Sequence, residues 1–78
     1  MFDLDRITFN PNIMGGQACI RGMRVTVSLI LNLVANGMTT DEILQAYPYL
    51  EAEDIQQALR YVAWLAEEKV SYLAEVGM

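Results

Sequence analysis

The clearest hydrophobic pattern in the chain lies between residues 27 and 36, where apolar side chains recur at the spacing of a helix. Thr26 precedes this segment as a capping residue and Gly37 follows it as a stop, so the pattern predicts a first helix over residues 27–36. One face of that helix carries Val27, Ile30, Leu31 and Val34. Leu29 and Leu33 lie well round the cylinder from that face, and we expect them to contact a second copy of the chain.

A second helix is predicted over residues 40–46. Residues 39–42 read Thr-Thr-Asp-Glu, a capping box in which Thr39 is the N-cap and Glu42 reaches back from the third helical position. The helix should end before Pro48, because the residue that precedes a proline disfavours helical backbone angles.

The third helix is expected to begin at residue 51 or 52 and to continue to residue 69 or beyond. Glu51, Glu53 and Asp54 stand at its start, where carboxylates interact favourably with the positive end of the helix dipole and face solvent. The stripe expected to face the core, at helical spacing, consists of Ile55, Leu59, Val62 and Ala66.

A second, partly aromatic stripe follows the same helix. The residues proposed to bind a partner protein are Tyr61, Trp64, Leu65, Glu68 and Tyr72. Trp64 falls about 180° from Ile55 at helical spacing, so it is placed on the back of the helix. Aromatic side chains in that position are typical of surfaces that contact another protein, whether a foreign partner or a second copy.

Short β-prone runs precede the helices at residues 7–9 and 18–20, with a possible third at 24–25. The first run is followed by Asn-Pro-Asn, a turn sequence. The predicted architecture is mainly α, a three-helix bundle with short N-terminal β-strands. We divide the single domain, residues 1–78, into a strand and turn arm (1–25), a three-helix core (26–70) and a tail (71–78).

Size and composition favour a protein that associates with others. A 78-residue chain in which 54% of residues are apolar has more apolar surface than one small domain easily covers. A single cysteine and no histidine leave neither a disulfide nor a zinc site as a plausible stabiliser, and no cofactor is expected. A homodimer is therefore predicted. No apolar run is long enough to span a membrane, and we expect a cytoplasmic protein.

Charge is distributed unevenly along the chain. Residues 1–37 carry three arginines against two aspartates, a net charge of +1, whereas residues 38–78 carry two basic and eight acidic residues, a net charge of −6. Nucleic acid would be repelled by the second half, while a basic protein would be attracted to it.

The glycine-rich segment over residues 15–26 is the candidate contact for an anion. Arg21 and Arg24 lie in it, and they either contact nucleic acid or pair with carboxylates within a dimer or of a partner protein. The segment lacks the Gly-Lys-Ser/Thr of a P-loop and the fingerprint of a dinucleotide site, so its glycines chiefly predict turns. Cys19 has apolar neighbours and no histidine to activate it, which favours a buried thiol over a nucleophile.

Helices 2 and 3 also fit the spacing of a helix-turn-helix, which would place the start of helix 3 in the major groove of DNA. Three carboxylates at that start would oppose phosphate, so we favour a helix-turn-helix shape that serves packing. Without histidine and without an inward cluster of carboxylates, an enzyme is the least supported class.

Four blocks of the chain, residues 15–25, 37–44, 47–50 and 53–61, resemble those of the family called domain of unknown function 433. The resemblance extends from residue 7 to about residue 64. It implies homeodomain-like or winged-helix-like proteins with short strands, some of which are antitoxins of type II pairs whose toxin is a PIN-like ribonuclease. Gln17 stands where the family usually has a basic residue, which weakens the case for anion binding.

These observations lead to one main hypothesis and two alternatives. The main hypothesis is an antitoxin-like homodimer that masks a toxin ribonuclease through its acidic and aromatic surface. The alternatives are a helix-turn-helix transcriptional regulator that binds DNA through Arg21 and Arg24, and a dimeric interaction module without nucleic-acid binding.

Overall fold

A computed structural model describes the backbone of residues 4–77 and the side chains of residues 4–67. The described residues are mainly helical, with three helices and a small antiparallel sheet. The elements are β1 (Ile7–Phe9), β2 (Ala18–Ile20), α1 (Val27–Ala35), α2 (Thr40–Ala46) and α3 (Ala52–Gly77), with one 3-10 turn at Met14–Gly16. None of the helices described here is long and apolar enough to cross a membrane.

The two strands pair antiparallel, with Ile7 opposite Ile20 and Phe9 opposite Ala18. The strand expected at residues 24–25 does not form, and only a single bridge between Cys19 and Thr26 is present. The reason is local, because residues 21 and 22 both have positive φ angles of 48° and 72°. They turn the chain back so tightly that α1 begins before a third strand can extend.

Both predicted helix caps are present. The Thr26 hydroxyl accepts a hydrogen bond from the Leu29 N–H at 3.0 Å and starts α1. α1 ends at Ala35, one residue earlier than the sequence indicates. The Thr39 hydroxyl accepts from the Glu42 N–H at 3.2 Å, and the Glu42 carboxylate accepts from the Thr39 N–H at 2.8 Å. This capping box starts α2, whose bounds match the prediction.

The apolar core lies between the hairpin, α1 and the first turns of the other helices. Its buried members are Ile7, Ile20, Val25, Val27, Ile30, Ile43, Leu50, Ile55 and Ala58. On the apolar face predicted for α1, Val27 and Ile30 are buried and Val34 is half-buried, whereas Leu31 is 38% exposed. Ile30 is completely buried and lies at the centre of the inward face, so Leu31 is turned about 100° away from it.

The predicted core stripe of α3 is correct only in its first turns. Ile55 is buried and Leu59 and Val62 pack half-buried against the core, but Ala66 is exposed. Ala58, which the sequence analysis does not name, is buried to 1% exposure. The side chains of residues 63–67 are exposed, so in the described part of α3 the core stripe ends at about residue 62.

Candidate functional site

A buried carboxylate stands at the start of α3 and holds two arginines of the hairpin region. Asp54 has no exposed surface. The guanidinium of Arg21 donates to both of its carboxylate oxygens, from Nε to Oδ1 at 3.0 Å and from Nη2 to Oδ2 at 2.9 Å. This two-bond arrangement is the strongest geometry available to an arginine and a carboxylate. It fastens the turn after β2 to the first turn of α3.

A second arginine reaches the same carboxylate from the residue before β1. Nη1 of Arg6 donates to Oδ1 of Asp54 at 2.9 Å and to Oε1 of Glu51 at 2.6 Å. Oδ2 of Asp54 also accepts a hydrogen bond from the backbone N–H of Glu51 at 2.8 Å. Asp54 therefore caps its own helix as well. We call Arg6, Arg21, Glu51 and Asp54 the ion cluster.

Gln57 extends these contacts by one helical turn. Its carbonyl oxygen accepts the backbone N–H of Arg6 at 2.9 Å, and its amide nitrogen donates to Asp5 at 2.8 Å. Gln57 is 4% exposed, so this amide is buried with both ends paired. Together with the ion cluster, it fixes where the hairpin lies against α3.

The protonation states within the ion cluster are set by its hydrogen bonds. Burial would raise the pKa of the Asp54 carboxyl, but hydrogen bonds from Arg21, the Glu51 backbone and Arg6 outweigh burial and hold that pKa below its ordinary value. The bond to Glu51, followed by the one to Asp54, raises the pKa of Arg6. The bond to Asp54 likewise raises the pKa of Arg21. Asp54 and the two arginines are therefore ionised at neutral pH.

This geometry bears on two expectations. Arg21 pairs with Asp54 of its own chain, and its contact with nucleic acid or with a carboxylate of a dimer or partner protein stays a prediction. The expectation that all three acids at the start of α3 face solvent holds for Glu51 and Glu53 and fails for Asp54. Arg24, the other arginine of the glycine-rich segment, is exposed.

Three aromatic side chains form an exposed row across the sheet and α3. The rings of Phe9 and Tyr61 meet edge to face with centroids 6.0 Å apart, and Tyr61 and Trp64 follow at 6.4 Å. Phe9 is 59% exposed and Trp64 is 40% exposed. We call Phe9, Tyr61 and Trp64 the aromatic ridge, and aromatic pairs with these spacings interact favourably while leaving one side open.

Beside the ridge, an apolar groove runs between α1 and α3. Its volume is about 500 Å³, and Leu31, Tyr61 and Leu65 are its largest apolar side chains. Gln17 and Ala18 close the end next to the sheet. Tyr61 lines the groove and also belongs to the ridge.

The remaining predicted site residues fall in different places. Leu65 is 39% exposed at the groove, and its role in binding a partner stays a prediction. Leu29 and Leu33, expected at a dimer contact, are half-buried against the chain's own core, and that role stays a prediction. The side chains of Glu68 and Tyr72 lie outside the described residues.

Sequence reasoning did not single out Arg6, Phe9 or Gln57. One signal was available for the ion cluster: Asp54 lies three residues after Glu51, the spacing of a side chain that caps its own helix and is thereby held at the helix start. The contacts of Phe9 and Gln57 depend on which residues of α3 the hairpin meets, and the local sequence carries no signal for that.

A two-stranded hairpin clamped by a buried carboxylate to the last of three helices defines a small mainly helical domain. The chain belongs to the family described as protein of unknown function (DUF433), whose model matches residues 7–62. This match confirms the family resemblance of the glycine-rich and helical blocks.

The chain is similar to two further proteins, one compared by sequence and one by structure. The uncharacterized protein y4eO of Sinorhizobium fredii (strain NBRC 101917 / NGR234) is 40% identical over 55 residues, which are 70% of this chain and 25% of the relative. The chain thus spans about a quarter of the length of that curated relative. The crystal structure of a DUF433 member protein from Anabaena variabilis ATCC 29413 is 33% identical, with a TM-score of 0.73 over 88% of this chain and 68% of that chain.

Proposed function

We propose that this chain is a protein-binding module, the antitoxin-like member of a cytoplasmic type II toxin–antitoxin pair that neutralises a PIN-like ribonuclease by direct contact. The observation that carries the proposal is the aromatic ridge. The family resemblance implies that the partner is a ribonuclease. The ridge supports only the more general part of the proposal, that the chain binds another protein.

The ridge has the properties of a binding hot spot. Phe9 and Trp64 leave large apolar areas in water, yet their rings are already ordered against Tyr61. Few rotamers are then lost when a partner covers them, so less of the binding energy is spent on ordering side chains. Aromatic anchors of this kind commonly dominate the energy of an interface.

The charge around the ridge favours a basic partner. Residues 38–78 carry a net charge of −6, and Glu53 and Glu67 are exposed on the same helix as Trp64. A ribonuclease presents cationic surface to hold its RNA. The acidic side of α3 would compete for that surface, which both steers association and blocks the substrate.

The ion cluster weakens the case for DNA binding. Arg6 and Arg21 are already paired with carboxylates, and the first turn of α3 is occupied by the hairpin and carries acids. If this helix bound in the major groove of DNA as in a homeodomain, those acids would lie against phosphate groups. The alternative of a DNA-binding regulator therefore depends mainly on Arg24, which is exposed.

Co-expression with the product of the neighbouring open reading frame tests the proposal. We expect a ribonuclease that is toxic alone, co-purifies with this chain and is tolerated in its presence. Trp64→Ala should reduce co-purification with helical content unchanged, whereas Gln56→Ala, at an exposed polar position of the same helix, should not. A neighbour that is no nuclease, or that stays toxic and unbound, contradicts the proposal.

The DNA alternative has its own measurement on the upstream region of the gene. If it is correct, binding falls steeply with salt and Arg24→Ala weakens it, because each phosphate contact releases counterions. Undetectable or salt-insensitive binding rejects it. Arg24 is preferred over Arg21 for this test because replacing Arg21 also breaks the ion cluster.

A further inference from the structure

Two exposed residues, Asn36 and Gly37, follow the last residue of α1 in the connection to α2. Of the four asparagines in the chain, only Asn36 is followed by a glycine. Such an asparagine can react with its own backbone, because glycine has no side chain to hinder the approach of its nitrogen. The other three asparagines, at positions 10, 12 and 32, precede proline, isoleucine and leucine, which hinder the same approach.

The reaction open to this dipeptide is an intramolecular acyl transfer. The backbone nitrogen of Gly37 attacks Cγ of Asn36, a new C–N bond forms, and the bond from Cγ to the side-chain nitrogen breaks. That nitrogen leaves as ammonia with the proton of the Gly37 N–H, and a cyclic imide remains. Water then opens the imide at one of its two carbonyls and leaves aspartate or isoaspartate at position 36. The net change replaces an NH group by an oxygen atom and adds a negative charge.

The fold keeps the attacking nitrogen occupied. The Gly37 N–H donates to the carbonyl of Val34 at 3.0 Å, and the Met38 N–H donates to the carbonyl of Leu33 at 3.1 Å. With Gly37 at a φ of 90°, these two bonds form a Schellman motif that ends α1. While the motif is closed, the Gly37 nitrogen is engaged as a donor and keeps its proton.

The side chain of Asn36 is also held away from that nitrogen. Its Nδ2 donates to the carbonyl of Asn32 at 2.8 Å. The ψ angle of Asn36 is 9°, so its own backbone nitrogen eclipses the nitrogen of Gly37. Closing the imide ring needs Cβ in that eclipsed position instead, with the two reacting atoms nearly in contact. Both reacting groups must therefore be released before they can meet.

We propose that Asn36 is a site of spontaneous deamidation, which the Schellman motif keeps closed and which reacts when the end of α1 opens. Helix ends open at a smaller cost in free energy than the whole domain. Closing the motif again does not reverse the reaction, so modified chains accumulate with the time spent open. The inference does not depend on the ribonuclease proposal.

The modified residue should weaken the connection between α1 and α2. Isoaspartate lengthens the backbone by one carbon atom just before Met38, which packs half-buried against the core. The added carboxylate also lies at the negative end of the α1 dipole, where an anion is unfavourable. The deamidated chain is therefore expected to be less stable than the original one.

Mass spectrometry of the full chain tests the site and its protection. The chain is incubated at pH 8, folded or unfolded in guanidinium chloride, and the proteolytic peptide that contains position 36 is followed with time. We expect the replacement of NH by oxygen at Asn36 in both samples, at least about tenfold more slowly in the folded one, because the motif must open first. Thr39→Ala weakens the cap next to the motif and should speed the reaction of the folded chain about fivefold, with the unfolded rate unchanged.

Two variants are the controls for this experiment. Asn36→Gln should abolish the reaction, because glutamine would have to close a larger ring. Thr40→Ala leaves the cap in place and should not speed it. The proposal is overturned if folded and unfolded chains react equally fast, if Asn36 stays intact in the unfolded chain, if Asn36→Gln shows the same mass change, or if Thr39→Ala reacts no faster than Thr40→Ala.

Thermal denaturation tests the consequence of the modification. The aged chain that carries isoaspartate should unfold at a lower temperature than Asn36→Asp, which has the same added charge but a backbone of normal length. Equal unfolding temperatures would contradict the part assigned to the lengthened backbone.

Discussion

Arg21 and Asp54 lie 33 residues apart in the chain and are joined by two parallel hydrogen bonds of 3.0 and 2.9 Å. The carboxylate is completely buried, whereas the arginine side chain is 36% exposed. The pair joins the glycine-rich turn to the start of α3 and so sets the position of the sheet against that helix. Because Phe9 is on the sheet and Trp64 is on α3, the same pair positions the two ends of the aromatic ridge.

Replacing the buried carboxylate should destabilise the fold strongly. Asp54→Asn keeps the size of the side chain but leaves two guanidinium groups without their shared counter-charge. Because both arginines are partly exposed and Arg6 keeps its bond to Glu51, the loss is smaller than for a fully buried ion pair, about 2 kcal/mol. We expect the free energy of unfolding, measured by urea denaturation at pH 7, to fall by about that amount.

Glu53→Gln is the matched control for this substitution. Glu53 is exposed and its contact with Arg60, at 3.7 Å, joins two side chains that are each about half exposed. Such surface pairs contribute about 1 kcal/mol or less. Equal losses of stability in the two variants would show that the burial of Asp54 has no energetic importance.

The ion cluster also predicts how stability depends on pH. Because the pKa of Asp54 is lowered in the folded state, its ion pairs stabilise the protein fully above the ordinary value of 3.8. That contribution should be lost as the pH falls from 3.8 towards the lower folded-state pKa. The difference in unfolding free energy between the unmodified chain and Asp54→Asn should therefore be constant from pH 7 to 5 and shrink below pH 4. A difference that grows on acidification would contradict the assignment.

The helix caps show which features the sequence predicts well. Thr26 and Thr39 were correctly predicted as caps. A cap is a hydrogen bond between residues two or three positions apart, so a short stretch of sequence is enough to predict it. The ion cluster could not be predicted in the same way. Its arginines come from residues 6 and 21, and their meeting at Asp54 depends on how the hairpin packs.

The capping box of α2 should contribute measurably to stability. Thr39→Ala removes the hydroxyl that accepts the Glu42 N–H, and we expect a loss of about 1 kcal/mol in unfolding free energy. The neighbouring Thr40→Ala leaves the cap in place and favours the helix, so it should cost less. Thermal denaturation of both variants makes the comparison. A larger loss for Thr40→Ala would show that the cap is not what starts this helix.

The inward face of α1 could not be predicted from its sequence. Apolar residues cover about two-thirds of this helix, so spacing alone does not decide which of them face inward. In the structure Ile30 faces the core and is completely buried, whereas Leu31 is 38% exposed. An amphipathic helix with a narrower apolar face would have been placed correctly.

Substitution of Ile30 tests that placement. Ile30→Ala should lower the free energy of unfolding by about 3 kcal/mol, because a buried side chain is lost and a cavity remains. Leu65→Ala removes as many carbon atoms from a side chain that is 39% exposed and should cost about 1 kcal/mol or less. Chemical denaturation at one protein concentration compares them, and a similar loss in both would contradict the inward orientation of Ile30.

The most direct test of the proposed function is inhibition of ribonuclease activity in the purified product of the neighbouring open reading frame. RNA cleavage should stop when this chain is added at equal molar amount, and the fluorescence of Trp64, the sole tryptophan, should shift to shorter wavelength as the ridge is covered. Trp64→Ala should weaken inhibition roughly 30-fold, which corresponds to about 2 kcal/mol. Undiminished cleavage in the presence of excess chain, or equal inhibition by Trp64→Ala, would contradict the role assigned to the ridge.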